Sequence, residues 1–131
     1  MNDDLYKVIF GKNVLSIGEL VFFHCDNLKE VIMNEGLEYI KDDAFNQCKE
    51  LESIKIPTTV KSIGEEVFYF CEKLKAIYLP GSVGYIGKRS IYPYNVSFTV
   101  YIDVEKAPDS WGYGWDTYIK DNIVYGYEMD N

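Results

Sequence analysis

Few side chains in this chain could do chemistry. His24 is the single histidine, so a serine or cysteine nucleophile would have to take its general base from it. It directly precedes Cys25, which suggests a Cys–His pair. Neighbours on a helical turn, however, point ~100° apart, and the positions 23 residues further on hold Gln47 and Phe70. The favoured reading is a surface residue. Cys25, Cys48 and Cys71 are also spaced by 23, nothing like the short pairs of a zinc ribbon. They read as reduced thiols packed in the core beside Phe22, Phe45 and Phe68, because free cysteine behaves as a small apolar residue. Acidic groups recur at Asp3-Asp4, Asp42-Asp43, Glu65-Glu66 and Asp103 with Glu105. Calcium needs ~6–8 converging oxygens, and no Asp-x-Asp-x-Asp-Gly run exists, so a solvated charged face is expected. Gly112-Tyr113-Gly114 lacks the lysine, third glycine and strand-to-helix frame of a phosphate loop. Asn95-Val96-Ser97 matches a glycosylation sequon. Trp111 and Trp115 could stack a sugar or seal the end of an apolar column, and the seal is favoured. No catalytic, cofactor-binding or metal-ligating residue emerges, so the expectation is a non-enzyme without a cofactor. A hydrolase with a carboxylate pair on a sheet face is the remote alternative.

The elements that hold these residues repeat. The 23-residue step links Leu5, Leu28, Leu51 and Leu74. It links Val8, Val31, Ile54, Ile77 and Val100, and likewise Phe10, Met33, Ile56, Leu79 and Ile102. Val14, Leu37, Val60 and Val83 follow it, as do Ile17, Ile40, Ile63 and Ile86, and Phe22, Phe45, Phe68 and Ile91. The repeats run 5–27, 28–50, 51–73 and 74–96, with a partial fifth from Ser97 whose strand Val100-Tyr101-Ile102 stays in phase. The organisation expected is four repeats plus a fifth strand over 5–104, then a C-terminal cap over 105–131.

Within each repeat, alternation such as Ile54 and Ile56 marks a half-buried strand. A turn follows, marked by Pro57 and Pro80, and then an apolar pair such as Val60 and Ile63. Gly18, Gly64 and Gly87 share one position, where a corner needs φ > 0 or close backbone approach; Lys41 takes it in repeat two. Stretches such as 42–48 suit a short helix or 3-10 segment. One repeat cannot bury its inward face alone, but stacked repeats can. The predicted fold is an α/β right-handed solenoid with parallel strands on one side and short helical or 3-10 turns on the other.

The 131 residues fit one domain, since domains usually hold ~100–200. With 47% hydrophobic residues the chain can build a core, and its net charge of −8 argues against nucleic acid, which needs clustered Lys and Arg. No apolar run approaches the ~18 residues of a membrane span, so no membrane insertion is expected. Met1-Asn2-Asp3-Asp4 lacks the basic-then-apolar layout of a signal peptide.

The pattern Leu-x-x-Ile-x-Ile-Pro-x-x-Val-x-x-Ile-Gly-x-x-x-Phe-x-x-Cys-x-x-Leu, complete from Leu51 to Leu74, resembles the BspA-like leucine-rich repeat family. Ordinary leucine-rich repeats place Asn or Cys eight residues after the first Leu; here that position holds Asn13, Gly36, Thr59 and Ser82. Pro108-Asp109-Ser110-Trp111-Gly112-Tyr113-Gly114-Trp115 resembles the family's terminal segment, and Ile123-Val124-Tyr125 is expected to add an edge strand. The resemblance implies a surface or secreted adhesion module that binds a protein of a host or neighbouring cell. It transfers no catalytic or contact residue. The alternative is a cytoplasmic interaction scaffold, which takes the missing signal peptide at face value.

Alternation puts Ile9, Ile32, Lys55, Tyr78 and Tyr101 on the outer face of the strands, beside Lys7, Glu30, Ser53, Ala76 and Thr99. The first column is a candidate protein-binding strip, because tyrosine is favoured at interfaces. Ordinary β-propensity explains the same residues equally well. Only four residues precede Leu5, so the first rung has little to cover it. The favoured explanation is a chain cut from a longer array, ahead of end-to-end self-association through the N-terminal repeat or a cover made by Met1–Asp4.

Overall fold

The computed structural model describes residues 4–95 and 97–128. The chain coils into a solenoid whose first four turns each contribute one strand to each of two sides, and whose fifth contributes one to the first side. The first series is β1 (Lys7–Ile9), β3 (Glu30–Ile32), β5 (Ser53–Lys55), β7 (Ala76–Leu79) and β9 (Thr99–Ile102). The second is β2 (Ser16–Ile17), β4 (Tyr39–Ile40), β6 (Ser62–Ile63) and β8 (Tyr85–Ile86). Every pairing is parallel. Register follows the sequence period: Ser53 lies against Ala76 and Ala76 against Thr99, each 23 residues on. β10 (Ile123–Val124) extends the first sheet beside β9, and Ile123 opposite Val100 keeps the same step.

The sheets differ in continuity. β2, β4, β6 and β8 form one unbroken ladder, whereas the first side splits into β1-β3 and β5-β7-β9-β10. A cavity of about 350 Å³ lies at the split, lined by Ile32, Met33, Glu35, Lys55 and Pro57 among others.

The third side carries turns instead of strands. Ala44, Asn46 and Cys48 donate to carbonyls three residues back, as a 3-10 turn would. Between them, Asp43, Phe45 and Gln47 donate to Glu65, Val67 and Tyr69 of the next rung. Asp43 and Gln47 take left-handed φ of 58° and 64°, so the turns never join into a helix. Leu20, Glu66 and Arg89 match Asp43, and His24 and Phe70 match Gln47, in both period and positive φ. Among the described residues, 3-10 segments occur only at Asp109–Trp111 and Lys120–Asn122.

The left-handed corner lies two residues beyond the glycine column. Gly64 and Gly87 serve close approach instead: a Cβ on Gly87 would lie 2.5 Å from the Gly64 carbonyl carbon.

The core is the set of apolar columns. Phe22, Phe45 and Phe68 stack at centroid spacings of 5.3 and 5.8 Å, with planes 9° apart in both pairs. Full burial of one such ring contributes about 1.5–3 kcal/mol. Leu5, Val8, Phe10 and Val14 in the first rung are only partly buried, unlike their counterparts Leu51, Ile54, Ile56 and Val60 in the third rung. In the fifth rung Ser97 is exposed and the adjacent Phe98 is buried. The apolar column therefore shifts by one residue there.

Candidate functional site

The five strip residues emerge on the outer face of the first sheet, as period-two alternation dictates. Ile9 and Ile32 lie opposite each other and remain 64% and 44% exposed. Lys55 lies opposite Tyr78, and Tyr78 opposite Tyr101. The break between β3 and β5 divides the strip into an aliphatic half and an aromatic half.

The aromatic half is built by register. Parallel strands place Tyr78 and Tyr101 in line, and their rings stack 5.0 Å apart with planes 12° apart. A third ring joins them from the C-terminal segment: Tyr127 packs 5.6 Å from Tyr78 and 4.9 Å from Tyr101. Its position is fixed by main-chain bonds from Gly126 to Val104 and from Tyr127 to Ile102, with Gly126 at φ 71°. Both strip tyrosines are half-buried in consequence. Desolvation, with Tyr127 and Tyr101 beside it, pushes the Tyr78 phenol above its ordinary value. Nothing in the period of the strands announces Tyr127.

The remaining candidates do structural work or stand alone. Cys25, Cys48 and Cys71 are free and buried. The Cys48 thiol donates to the Phe22 carbonyl at 3.1 Å and the Cys71 thiol to Phe45 at 3.2 Å. Burial raises both pKa values, Cys71 to about 12. His24 Nε2 lies 3.3 Å from Asp26, while Cys25 beside it points into the core. Asp42 accepts the Glu65 amide at 2.8 Å, and Asp103 accepts the Gly81 amide at 2.7 Å. Glu66 pairs with Arg89 at 2.8 Å. Among the described residues no group of three His, Cys, Asp or Glu is placed to hold a metal ion. No helix of the described residues is long and apolar enough to cross a membrane.

Trp111 is 2% exposed, and its Nε1–H donates to the Val83 carbonyl at 2.6 Å. Trp115 meets it edge-on, with centroids 4.8 Å apart. A buried indole cannot offer its face to a sugar. Asn95 Oδ1 accepts the Ser97 amide, while Val96 of the sequon lies outside the described residues, as do Met1–Asp3. Thr59, at one of the positions where ordinary repeats carry Asn, bridges rungs itself. Its hydroxyl donates to Leu37 at 2.7 Å and accepts from the Gly36 amide at 2.9 Å.

Comparison with known proteins agrees with this geometry. The family model described as BspA type leucine rich repeat region (6 copies) matches residues 1–109. No curated protein matches the chain. A solved leucine-rich repeat protein from Bacteroides ovatus superposes with a TM-score of 0.71 at 28% identity, over 92% of this chain and 30% of that one. The leucine-rich repeat protein of T. pallidum gives 0.73 at 26% identity, over 94% of this chain and 57% of its own. A leucine-rich cell surface protein from Faecalibacterium prausnitzii gives 0.66 at 27% identity, over 82% and 28%. The chain thus spans less than two thirds of each of these relatives.

Proposed function

The chain belongs to the BspA-type leucine-rich repeat family, and from that premise we propose that it is a non-catalytic protein-binding module. Its contact surface is the strip Ile9, Ile32, Lys55, Tyr78 and Tyr101. The observation that carries this reading is the solvent-facing row of apolar and aromatic side chains on stacked strands. Two isoleucines there are 64% and 44% exposed. Solenoids bind through extended surfaces of this kind, and tyrosine offers large contact area at low entropic cost. Binding is then surface complementarity with no chemical step. The net charge of −8 disfavours a nucleic-acid partner.

One structural neighbour is described as a cell surface protein, which supports placing this module on a cell surface or in a secreted protein. Its partner would be a protein of a host or neighbouring cell, and its role adhesion. In this reading 5–104 forms the binding repeats and 105–131 the cap. The Tyr78→Ser, Tyr101→Ser double variant tests the strip. It should lose capture of extracellular proteins while its circular dichroism shows it still folded, at a lower melting temperature because three ring contacts are lost. Undiminished capture by a folded variant removes the strip from the interface. Capture of cytosolic proteins alone would favour the scaffold reading.

Self-association through the first rung is part of the same proposal: Leu15, Leu20 and Val21 are exposed, and among the described residues β1 and β2 pair on one side. Light scattering that stays at monomer mass up to high concentration would reject it.

A further inference from the structure

A second cavity, of about 380 Å³, lies where the last rung meets the segment after the repeats. Much of its lining is aromatic: Tyr85, at the end of the second sheet, lines it together with Tyr113, Trp115 and Tyr118. Tyr85, Tyr113 and Tyr118 are exposed. Gly87, Gly112 and Gly114 leave stretches of the lining without side chains, and Ser110 and Thr117 add hydroxyls. Ile86, Trp111, Lys88 and Arg89 complete the lining, and no Asp or Glu contributes to it. In a chain with 21 acidic residues, that makes this cavity chemically distinct. The split in the first sheet has Glu35, and the cavity at the first rung has Asp4.

The two cations differ. Arg89 is held by Glu66 at 2.8 Å. Lys88 makes no ion pair among the described residues. Along the corner column, Asp42-Asp43 and Glu65-Glu66 give way to Lys88-Arg89 in the last full rung. The charge therefore changes sign where the cavity opens.

Strand addition does not fit this place. The position beside β8 is filled by the 3-10 segment Asp109–Trp111, whose indole is bonded to Val83. An extended peptide would have no free edge to join. Flat aromatic faces, hydroxyls and a lysine instead match a pyranose ring bearing a carboxylate, and the volume falls in the range of small-ligand sites. The geometry points to a binding site for an acidic saccharide, with a uronic-acid ring against Tyr85 and Tyr118 and its carboxylate at Lys88. This site is separate from the strip and does not depend on it.

Calorimetric titration with a galacturonic acid tetramer tests this, with a galactose tetramer and tetraglutamate as controls. The uronic tetramer should bind saturably and at least about tenfold tighter than either control, a difference of about 1.4 kcal/mol. Lys88→Ala should weaken it about tenfold or more without moving the melting temperature, and Tyr118→Ala should weaken it as much while staying folded, with some loss of stability because its ring also packs 4.7 Å from Tyr92. Lys12→Ala, far from the cavity, should leave it unchanged. Higher salt should weaken binding. No saturable binding overturns the proposal. Equal binding of tetraglutamate (charge alone) or of the neutral tetramer overturns it too, as does full affinity in folded Lys88→Ala. The Tyr78→Ser, Tyr101→Ser variant should keep saccharide binding, so the two sites can fail independently.

Discussion

The Nε1–H of Trp111 reaches back 28 residues to the carbonyl of Val83 at 2.6 Å, in the last complete rung. The indole covers the core beside β8, where the second sheet ends, and it satisfies the Val83 carbonyl. Trp111→Ala should therefore cost about 3–5 kcal/mol by cavity formation. Trp111→Phe keeps most of the ring but strands the carbonyl, a cost of about 1–3 kcal/mol. Chemical denaturation checks both. A Trp111→Ala protein as stable as wild type would mean that this indole seals nothing.

The glycine column should respond unevenly to a single methyl group. On Gly87 that methyl would lie 2.5 Å from the Gly64 carbonyl carbon and 2.6 Å from the Glu65 nitrogen, both backbone atoms. Rungs would have to separate, so Gly87→Ala should destabilise by about 1–3 kcal/mol. On Gly18 the nearest atom is the Val21 Cγ2 at 3.2 Å, the end of an exposed side chain. Gly18→Ala should fall within about 0.5 kcal/mol of wild type, since the lost chain entropy favours alanine. Equal losses at both positions would contradict the close-approach explanation.

The thiol column makes stability depend on alkaline pH. Burial shifts Cys71 from an ordinary 9.0 to about 12 and raises Cys48 as well. Above pH 9 the unfolded chain releases these protons and the folded chain retains them. The native state then binds more protons than the unfolded state, so stability falls as pH rises from about 9 to about 12. Urea midpoints across that range should decline, and Cys48→Ala with Cys71→Ala should flatten the decline. A thiol reagent should label these residues only as fast as the protein opens. Rapid labelling of the native protein would show the column to be exposed.

Much of this arrangement is legible in the sequence because stacking forces equivalent residues into columns. Leu51, Ile54, Ile56, Val60, Ile63, Phe68 and Cys71 are all buried, and their spacing alone places them inward. The edge strand expected at Ile123-Val124-Tyr125 forms over Ile123–Val124, where Ile123 keeps the same step from Val100. The left-handed corners were not legible in this way. Leu20 and Phe70 adopt φ of 62° and 59°, which no leucine or phenylalanine prefers. On this side Leu20 and Phe22 donate to Asp42 and Ala44, and Phe68 to Ser90, in the next rung, a constraint visible only once the rungs are stacked. The split between β3 and β5 is equally silent, because Val31 and Ile54 on either side are both buried. On the outer face, alternation finds Tyr78 and Tyr101 but says nothing of a distant residue that folds over them.

That residue is Tyr127, and its removal separates a lid from a wall. The ring packs against Tyr78 and Tyr101 of the strip and is itself partly exposed. Losing two aromatic contacts costs about 0.5–1.5 kcal/mol each at most, too little to unfold the solenoid. Tyr127→Ala should therefore stay folded and expose more of both rings. The Tyr78 phenol, raised by desolvation and by Tyr127 beside it, should titrate at lower pH in the variant. Carbon-13 labelling of the tyrosine ring resolves that change residue by residue. If strip and partner meet through these rings, the same variant should bind at least as tightly as wild type. An unchanged Tyr78 titration would show that Tyr127 does not cover the strip in solution. Weaker binding with the expected titration shift would make Tyr127 part of the contact surface.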